Sequence, residues 1–311
     1  MALLKEIWVS DIQNALNQNA AFLPFSTDHS AYISYKTVHV PQSGANPNVI
    51  VNPSTYPLSI AERTDTDLTY NLSQYALTPT LIPNIDELQV SYDKRQSVIG
   101  QQMSTLTETI GNYVAVSWCA SGNSNIILTT GSASATALPP SGTGTRKEVT
   151  LADIASLAAK LDKDNVPRMG RKLLMNVDMF FQLLAISDVL RASYNGFQNQ
   201  GNVLQTGTVA MLYGFDIMIR PTVAVFTKTG TSAKAVGTAA AADDRLACIA
   251  FHPSTVARAV GAMTPYYDAG SNGNGKPEYL GSIFNMDVML GSAIIRTDQK
   301  GVAALVQTWV S

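Results

Sequence analysis

A change of hydrophobic period near residue 79 limits the fold of this chain more than any other feature. From Ala31 to about Leu77, apolar residues alternate with polar ones, as in β-strands. Between about 93 and 119 they recur every three or four residues, as on one face of a long helix. The helical positions are Ile99, Met103, Leu106, Ile110, Val114 and Trp118. This order predicts an α+β fold in which extended strands precede a long amphipathic helix.

The alternating segment predicts a projecting hairpin. It contains three strand-like runs, of which the middle one carries Tyr56, Leu58 and Ile60. Pro and Gly residues separate the runs, and no neighbouring helical pattern could cover their apolar face. An uncovered two-stranded hairpin is only marginally stable in water. We therefore expect a neighbouring molecule to bury this face.

Further local signals place helices later in the chain. Thr150 followed by Asp153 matches the N-terminal capping pattern of a helix. Another helix is predicted to begin near Asp178 and to bury four apolar side chains. These are Phe180, Phe181, Leu183 and Leu184. Gly111, in the middle of the long helix, indicates close packing or a bend.

The charge content is low for a soluble protein. Charged residues make up 14% of the 311 residues, against about 25% in an ordinary soluble domain, and the formal net charge is −2. This composition suits a surface that partner molecules cover, and it offers no long-range attraction for nucleic acid or an anionic membrane. Cys119 and Cys248 lie far apart without nearby histidines, so they indicate buried thiols rather than a disulfide framework or a zinc site.

Three short motifs follow the long helix in the sequence, DNVPRMGRKLLMNV at 164–177, YGFDI at 213–217 and FHP at 251–253. With the order of the elements, they resemble the major capsid proteins of tailed bacteriophages. The resemblance implies an HK97-like capsid fold and a structural protein without a catalytic step or cofactor. It assigns an N-terminal arm at 1–35, an extension loop at 36–78, a peripheral domain at 79–165 with its spine helix at about 93–119, an axial domain at 166–278, and strands at 279–311 that return to the peripheral domain.

The same resemblance implies partners and a location. The chain would assemble with itself into hexamers and pentamers of an icosahedral head, which encloses double-stranded DNA without sequence-specific binding. A portal protein and separate scaffolding or decoration proteins would be further partners, and no membrane would be involved. Assembly would take place in the host cytoplasm, and the mature location would be the virion capsid. A cellular nanocompartment shell, similar to encapsulins, is the alternative within this fold.

Sequence motifs for chemistry give little support to an enzyme. Residues 270–276 match the first seven positions of a phosphate-binding loop, but Pro277 stands where a magnesium-binding Ser or Thr is required. A nucleotide-binding domain that uses 270–277 therefore stays a weak alternative. His29 and His39 are expected to be solvated or interfacial, and Asp162 to Pro167 lacks the ligands of a calcium loop. No catalytic, metal-binding or cofactor-binding residue is assigned.

The candidate functional residues are therefore interfacial. Acidic residues and one arginine near the hairpin tip are expected to pair with basic residues of a neighbouring subunit. With the tryptophan of the arm, the predicted interface set is Trp8, Glu62, Arg63, Asp65, Asp67, Lys94, Arg95, Arg168 and Arg171. The alternative for any one of these charges is that it only keeps an exposed hairpin in solution.

Overall fold

The computed structural model describes residues 22–42, 49–54, 56–58, 60, 65–83, 94–186, 210–268 and 281–310. Within these ranges the chain forms α-helices and β-strands in a mixed order, which confirms the predicted α+β class. The helices are α1 (Lys94–Ser117), α2 (Leu151–Lys163) and α3 (Val177–Ile186). The strands are β1 (Thr27–Asp28), β2 (Ile33–Ser34), β3 (Thr37–Gln42), β4 (Thr66–Asn71), β5 (Ser73–Ala76), β6 (Thr80–Pro83), β7 (Ile126–Leu128), β8 (Ala133–Ser134), β9 (Thr145–Lys147), β10 (Arg171–Asn176), β11 (Ala210–Leu212), β12 (Phe215–Arg220), β13 (Ala224–Phe226), β14 (Arg245–Phe251), β15 (Val256–Asp268), β16 (Gly281–Ile294), β17 (Val302–Val306) and β18 (Trp309–Val310).

A seven-stranded mixed sheet forms the centre of the molecule. Its strands run in the order β11, β12, β10, β14, β17 and β7, and β13 also pairs with β14. Every residue of β10, β14 and β17 is buried. Strands that are covered on both faces tend to be apolar along their length, rather than alternating. β17 follows that rule throughout and β14 follows it after Arg245, whereas β10 has polar residues at both ends, Arg171, Lys172 and Asn176.

The two faces of this sheet belong to different hydrophobic cores. Leu174 of β10 lies in the core that contains α1, whereas its neighbours Leu173 and Met175 lie in the core that contains α2 and α3. Successive side chains of a strand point to opposite faces, so a single buried strand contributes to both cores. The sheet is thus a central layer between helices.

Helix α1 has the apolar face that the sequence predicts. Met103, Leu106, Ile110 and Val114 are all buried, and they pack on β16 and on one face of the seven-stranded sheet. At Gly111 the prediction of close packing is correct, because a Cβ atom there would lie 2.5 Å from Nη2 of Arg220.

Helix α2 begins with the predicted capping box. The Thr150 hydroxyl accepts a hydrogen bond from the Asp153 N–H, and the Asp153 carboxylate accepts one from the Thr150 N–H at 2.9 Å. Helix α3 begins at Val177 and buries Phe180. The prediction that Phe181 is buried is wrong, since this side chain is 52% exposed. Phe181 directly follows the buried Phe180, and each residue of an α-helix is rotated by about 100° from the one before it, so the Phe181 side chain points away from the core.

The second large sheet runs β1, β15, β16 and β5, and β6 also pairs with β16. Strands β15 and β16 form a long antiparallel pair that packs on α1. Strand β16, which follows the predicted domain boundary at 278/279, pairs with β15, which precedes it. Strand β17 lies between β14 and β7 in the seven-stranded sheet. The C-terminal strands therefore contribute to both large sheets.

The extended segment forms a hairpin at its base. Strands β3 and β4 are antiparallel from Thr37 opposite Asn71 to Gln42 opposite Thr66. A small core of Val38, Leu72 and Ala259 fixes this base to β15. Among the described residues, no helix has the length and apolarity needed to cross a membrane.

Candidate subunit interface

The outer part of the hairpin exposes an unusual amount of apolar surface. Ile60 is fully exposed and Val49 is 89% exposed. The described apolar side chains between β3 and β4 that are exposed in this way are Val49, Ile50, Val51, Tyr56, Leu58 and Ile60. Large contiguous apolar patches on a protein surface mark interaction sites. We name these six residues the hairpin tip patch.

The predicted strand at Tyr56, Leu58 and Ile60 is wrong for the described residues, which are in no strand. A strand requires a ladder partner for its backbone groups, and the described pairing of β3 with β4 runs from Thr37 to Gln42 and from Thr66 to Asn71. Burial of each tip side chain by a partner would contribute about 1.5–3 kcal/mol.

The junction between hairpin and body contains a buried histidine. His29 is only 5% exposed, with its ring edge-on to Tyr32 and its Nδ1 3.3 Å from the Tyr70 hydroxyl. Burial lowers the pKa of His29, and the charge of Asp28 opposes that shift. The expectation of a solvated His29 is therefore wrong.

The charged residues predicted near the tip have different surroundings. Asp67 lies 2.9 Å from Nδ1 of His39 on the paired strand, and both side chains are about half exposed. Asp65 is exposed. Trp8, Glu62 and Arg63 lie outside the described residues, and Lys94 and Arg95 begin helix α1.

Arg168 and Arg171 both bind Asp162 of their own chain, at 2.8 and 2.7 Å. Arg168 remains 80% exposed and is free to contact a second carboxylate. Arg171 is 1% exposed and also donates hydrogen bonds to the carbonyls of Val166 and Pro167. Its burial corrects the expectation that Arg171 faces a neighbour, which a charge pattern alone could not reveal.

Both cysteines and His252 are buried or engaged with other groups of the chain. Burial raises the pKa of Cys119 and of Cys248 to about 12, and both are buried free thiols. His252 contacts the Ser254 hydroxyl through Nδ1 at 2.7 Å and the Met169 carbonyl through Nε2 at 3.2 Å. The described ranges contain no group of three or more His, Cys, Asp or Glu residues placed to hold a metal ion. The phosphate-loop motif at 270–276 lies outside those ranges.

No sequence pattern predicts the cleft between α1 and the end of β12. It has a volume of about 360 Å³, and its lining includes Phe22, Thr107, Glu108 and Arg220. Arg220 comes from β12 and Thr107 from α1, more than a hundred residues earlier. No spacing rule links two such positions, so only the fold brings them together.

The solved structures that are similar to this chain include capsids of phages. The capsid of Ralstonia phage GP4 aligns over 92% of this chain and 88% of that chain, with a TM-score of 0.66 and 10% identity. The capsid structure of cyanophage P-SCSP1u aligns over 90% and 86%, with a TM-score of 0.61 and 18% identity. The chain has the HK97-like capsid fold.

A virus-like particle from Pyrococcus furiosus also shares this fold. It aligns over 95% of this chain and 96% of that chain, with a TM-score of 0.55 and 12% identity. No family model and no curated protein matches the sequence. The likeness to capsid proteins is therefore one of three-dimensional structure over nearly the whole chain.

Proposed function

We propose that this chain is the major capsid protein of a tailed bacteriophage. It assembles into hexamers and pentamers that close into the icosahedral head around double-stranded DNA. Its role is structural and requires no catalytic step. The mature location is the virion, and assembly takes place in the host cytoplasm.

The observation that carries this proposal is the hairpin tip patch on a capsid fold. Six apolar side chains that are exposed on one segment between β3 and β4 are unfavourable for a free monomer. Repeated symmetric contacts bury such a segment once per subunit, and the modest free energy of each contact is summed over the closed shell. In this proposal the exposed charges of Asp65, Asp67 and Arg168 contact neighbouring subunits and help to set the register of assembly.

Electron microscopy and analytical ultracentrifugation of the purified full chain test the proposal. Closed shells, or hexameric and pentameric rings that close when concentrated, are the expected species. A stable, folded monomer over the whole concentration range would contradict it. Expression with a portal protein and a scaffolding protein from the same genome would then show whether these partners restrict shell size.

A nanocompartment shell is the second candidate, because the particle from Pyrococcus furiosus shares the fold over nearly the full length. The two candidates differ in content rather than in shell architecture. Particles isolated from the natural source and treated with nuclease are expected to contain protected double-stranded DNA. Particles filled with a protein cargo and free of DNA would favour the nanocompartment.

A further inference from the structure

His29 connects the base of the hairpin to the body of the chain. Directly after the end of β1, its backbone N–H donates to the carbonyl of Arg258 in β15 at 2.8 Å. Its Nδ1 lies 3.3 Å from the hydroxyl of Tyr70, which belongs to β4 of the hairpin. One residue, Leu72, separates β4 from β5 of the large sheet. The ring of His29 therefore lies at the point where the hairpin leaves the body.

The base of the hairpin lies close to the backbone of this large sheet. A Cβ atom on Gly291 of β16 would be 3.0 Å from the carbonyl oxygen of Asn71 and 3.2 Å from Cδ2 of Tyr70. A Cβ atom on Gly261 of β15 would be 3.3 Å from Cδ1 of Leu72. The two glycines allow this close approach, but they have no side chain that could interlock with the hairpin. Other contacts must hold the hairpin in place.

The contacts that hold the hairpin on the body differ in their dependence on pH. The small apolar core at the base of the hairpin does not titrate. Gln42 of β3, which donates to the carbonyl of Ile295, is uncharged. The contact between His29 and Tyr70 is different, because an imidazole gains a charge near neutral pH. A proton can therefore change the strength of this contact.

The surroundings of the His29 ring favour its neutral form. Asp28 of β1 is the neighbouring anion, but its carboxylate already accepts a hydrogen bond from the backbone two residues further on, and Arg258 of β15, which pairs with it, is a cation. Tyr32 contributes the edge of its ring, and burial raises the pKa of Tyr70 to about 12, so its hydroxyl stays neutral. Burial lowers the pKa of His29 in spite of the charge of Asp28.

We propose that the contact between His29 and Tyr70 is a pH-sensitive latch, which keeps the hairpin closed on β15 and β16 while the ring is neutral and releases it when the ring is protonated. A neutral Nδ1 can accept the Tyr70 hydroxyl, whereas both nitrogens of an imidazolium are donors. The buried cation also lacks the hydration that it regains when the hairpin changes its angle to the body. This inference rests on the proposed function for its purpose, which is to set the hairpin angle before assembly, but it is measured on the unassembled chain.

The direction of the effect follows from the pKa of His29. In the open form the ring has its ordinary value of 6.5, and in the closed form its pKa is lower. The open form therefore binds the proton more tightly, so acid favours it. Opening begins as the pH falls through 6.5, and the effect is fully developed below the pKa of the closed form.

Energy transfer between two dyes on one chain measures the angle of the hairpin. Ile60→Cys places one dye on the hairpin tip, and Ser156→Cys places the other on the exposed side of α2. Cys119 and Cys248 stay unlabelled, because burial raises their pKa to about 12 and keeps them as unreactive thiols. Dilute, unassembled protein is titrated from about pH 8 to about pH 4, a range that includes the ordinary pKa of histidine. We expect transfer to change in one step with a midpoint below pH 6.5, while circular dichroism still reports a folded chain.

The three histidines of the chain provide matched variants. His29→Gln keeps a polar side chain that stays neutral, and it is expected to lose the step. His39→Gln is the control within the hairpin, since His39 contacts Asp67 on the paired strand, and His252→Gln is the control within the body. Both controls are expected to keep the step at the same pH. A step that persists in a folded His29→Gln, or that is absent from the unmodified chain, would overturn the latch.

Tyr70→Phe removes the hydroxyl and keeps the aromatic ring. The closed form then loses its contact with Nδ1 of His29, so the hairpin should open more easily and the midpoint of the step should move to higher pH. An unchanged midpoint would exclude Tyr70 as the partner of His29. If His29→Gln does not fold, the shift in Tyr70→Phe decides whether the latch is correct.

The latch and the proposed function can fail separately, because the energy transfer requires no shell. If shells form but the step is absent, the latch is wrong and the proposed function stands. If the step is present but the unmodified chain forms no shells or rings at any pH, the proposed function fails and the latch stands.

Discussion

The central strands of the seven-stranded sheet bury their apolar side chains, whereas the outer part of the β3–β4 hairpin exposes them. In β10, β14 and β17 every residue is buried, whereas the hairpin tip patch is exposed. A buried cation of the body, Arg146, is satisfied within the chain, since it is 1% exposed and donates to the carbonyls of Asp244 and Ala242. Among the described residues, the body is therefore covered by its own contacts, whereas the hairpin tip patch is left exposed for another molecule to cover.

Removal of the outer part of the hairpin is expected to have the largest effect, because it should abolish assembly and leave folding of the body intact. Replacement of residues 43–65 by Asn-Gly joins Gln42 to Thr66, which are opposite each other in the β3–β4 ladder, by a two-residue turn. Folding is expected to persist because neither large core includes the removed residues. Assembly is expected to be lost. Circular dichroism and sedimentation measure the two results, and shells made by the shortened chain would contradict the account.

A matched pair of truncations tests the same contrast at single residues. Trp118 is 1% exposed, and its Nε1 donates to the Ala257 carbonyl at 3.1 Å, so Trp118→Ala should lower the free energy of unfolding by about 3–5 kcal/mol. Ile60→Ala should change it by less than about 0.5 kcal/mol and reduce shell yield. Urea denaturation of unassembled protein gives both values. A large loss of stability for Ile60→Ala would mean that the tip packs on its own subunit.

The capping box of α2 offers a smaller test within the body. Thr150→Ala removes the hydroxyl that accepts the Asp153 N–H and is expected to cost about 1 kcal/mol of unfolding free energy. Thr150→Ser, which keeps the hydroxyl, is the control and should retain most of the stability. Assembly of both variants should be normal at low temperature, and an assembly defect in Thr150→Ala alone would give α2 an unexpected role at subunit contacts.

The free energy of unfolding should depend weakly on pH through His29, which lies at the junction between the hairpin and the body. Burial lowers the pKa of His29 in the folded chain below the value of 6.5, so the unfolded chain takes up this proton more readily. The free energy of unfolding should therefore fall as the pH decreases through 6.5. His29→Gln should reduce this slope without removing it, because burial also lowers the pKa of His252. An unchanged slope in His29→Gln would exclude His29 as a contributor.

Elements with local signals could be predicted from the sequence. The apolar face of α1 follows from a spacing of three or four residues, and the start of α2 follows from Thr150 and Asp153. The predicted burial of Phe181 was wrong because four apolar residues within five positions of a helix cannot all face one core. The strand predicted at Tyr56, Leu58 and Ile60 was wrong because an alternation of apolar and polar residues forms a strand only where a neighbouring strand can pair with it.

The candidate interface was less predictable than the fold. Charge alone suggested Arg171, but its position beside Asp162 and Val166 makes it an interior residue. No sequence pattern indicated the surroundings of Arg220, since it contacts Glu108 and Gly111, which are far away in sequence. Which polar groups a chain leaves unpaired becomes apparent only in three dimensions.

Hydrogen–deuterium exchange of assembled and unassembled protein tests the central claim most directly. Amide exchange is slow where backbone groups are protected and fast where they are open to solvent. We expect residues 49–60 to exchange rapidly in the unassembled chain and to become protected in shells, while β14 remains equally protected in both states. Equally rapid exchange of residues 49–60 in both states would contradict the claim that a neighbouring subunit covers the hairpin.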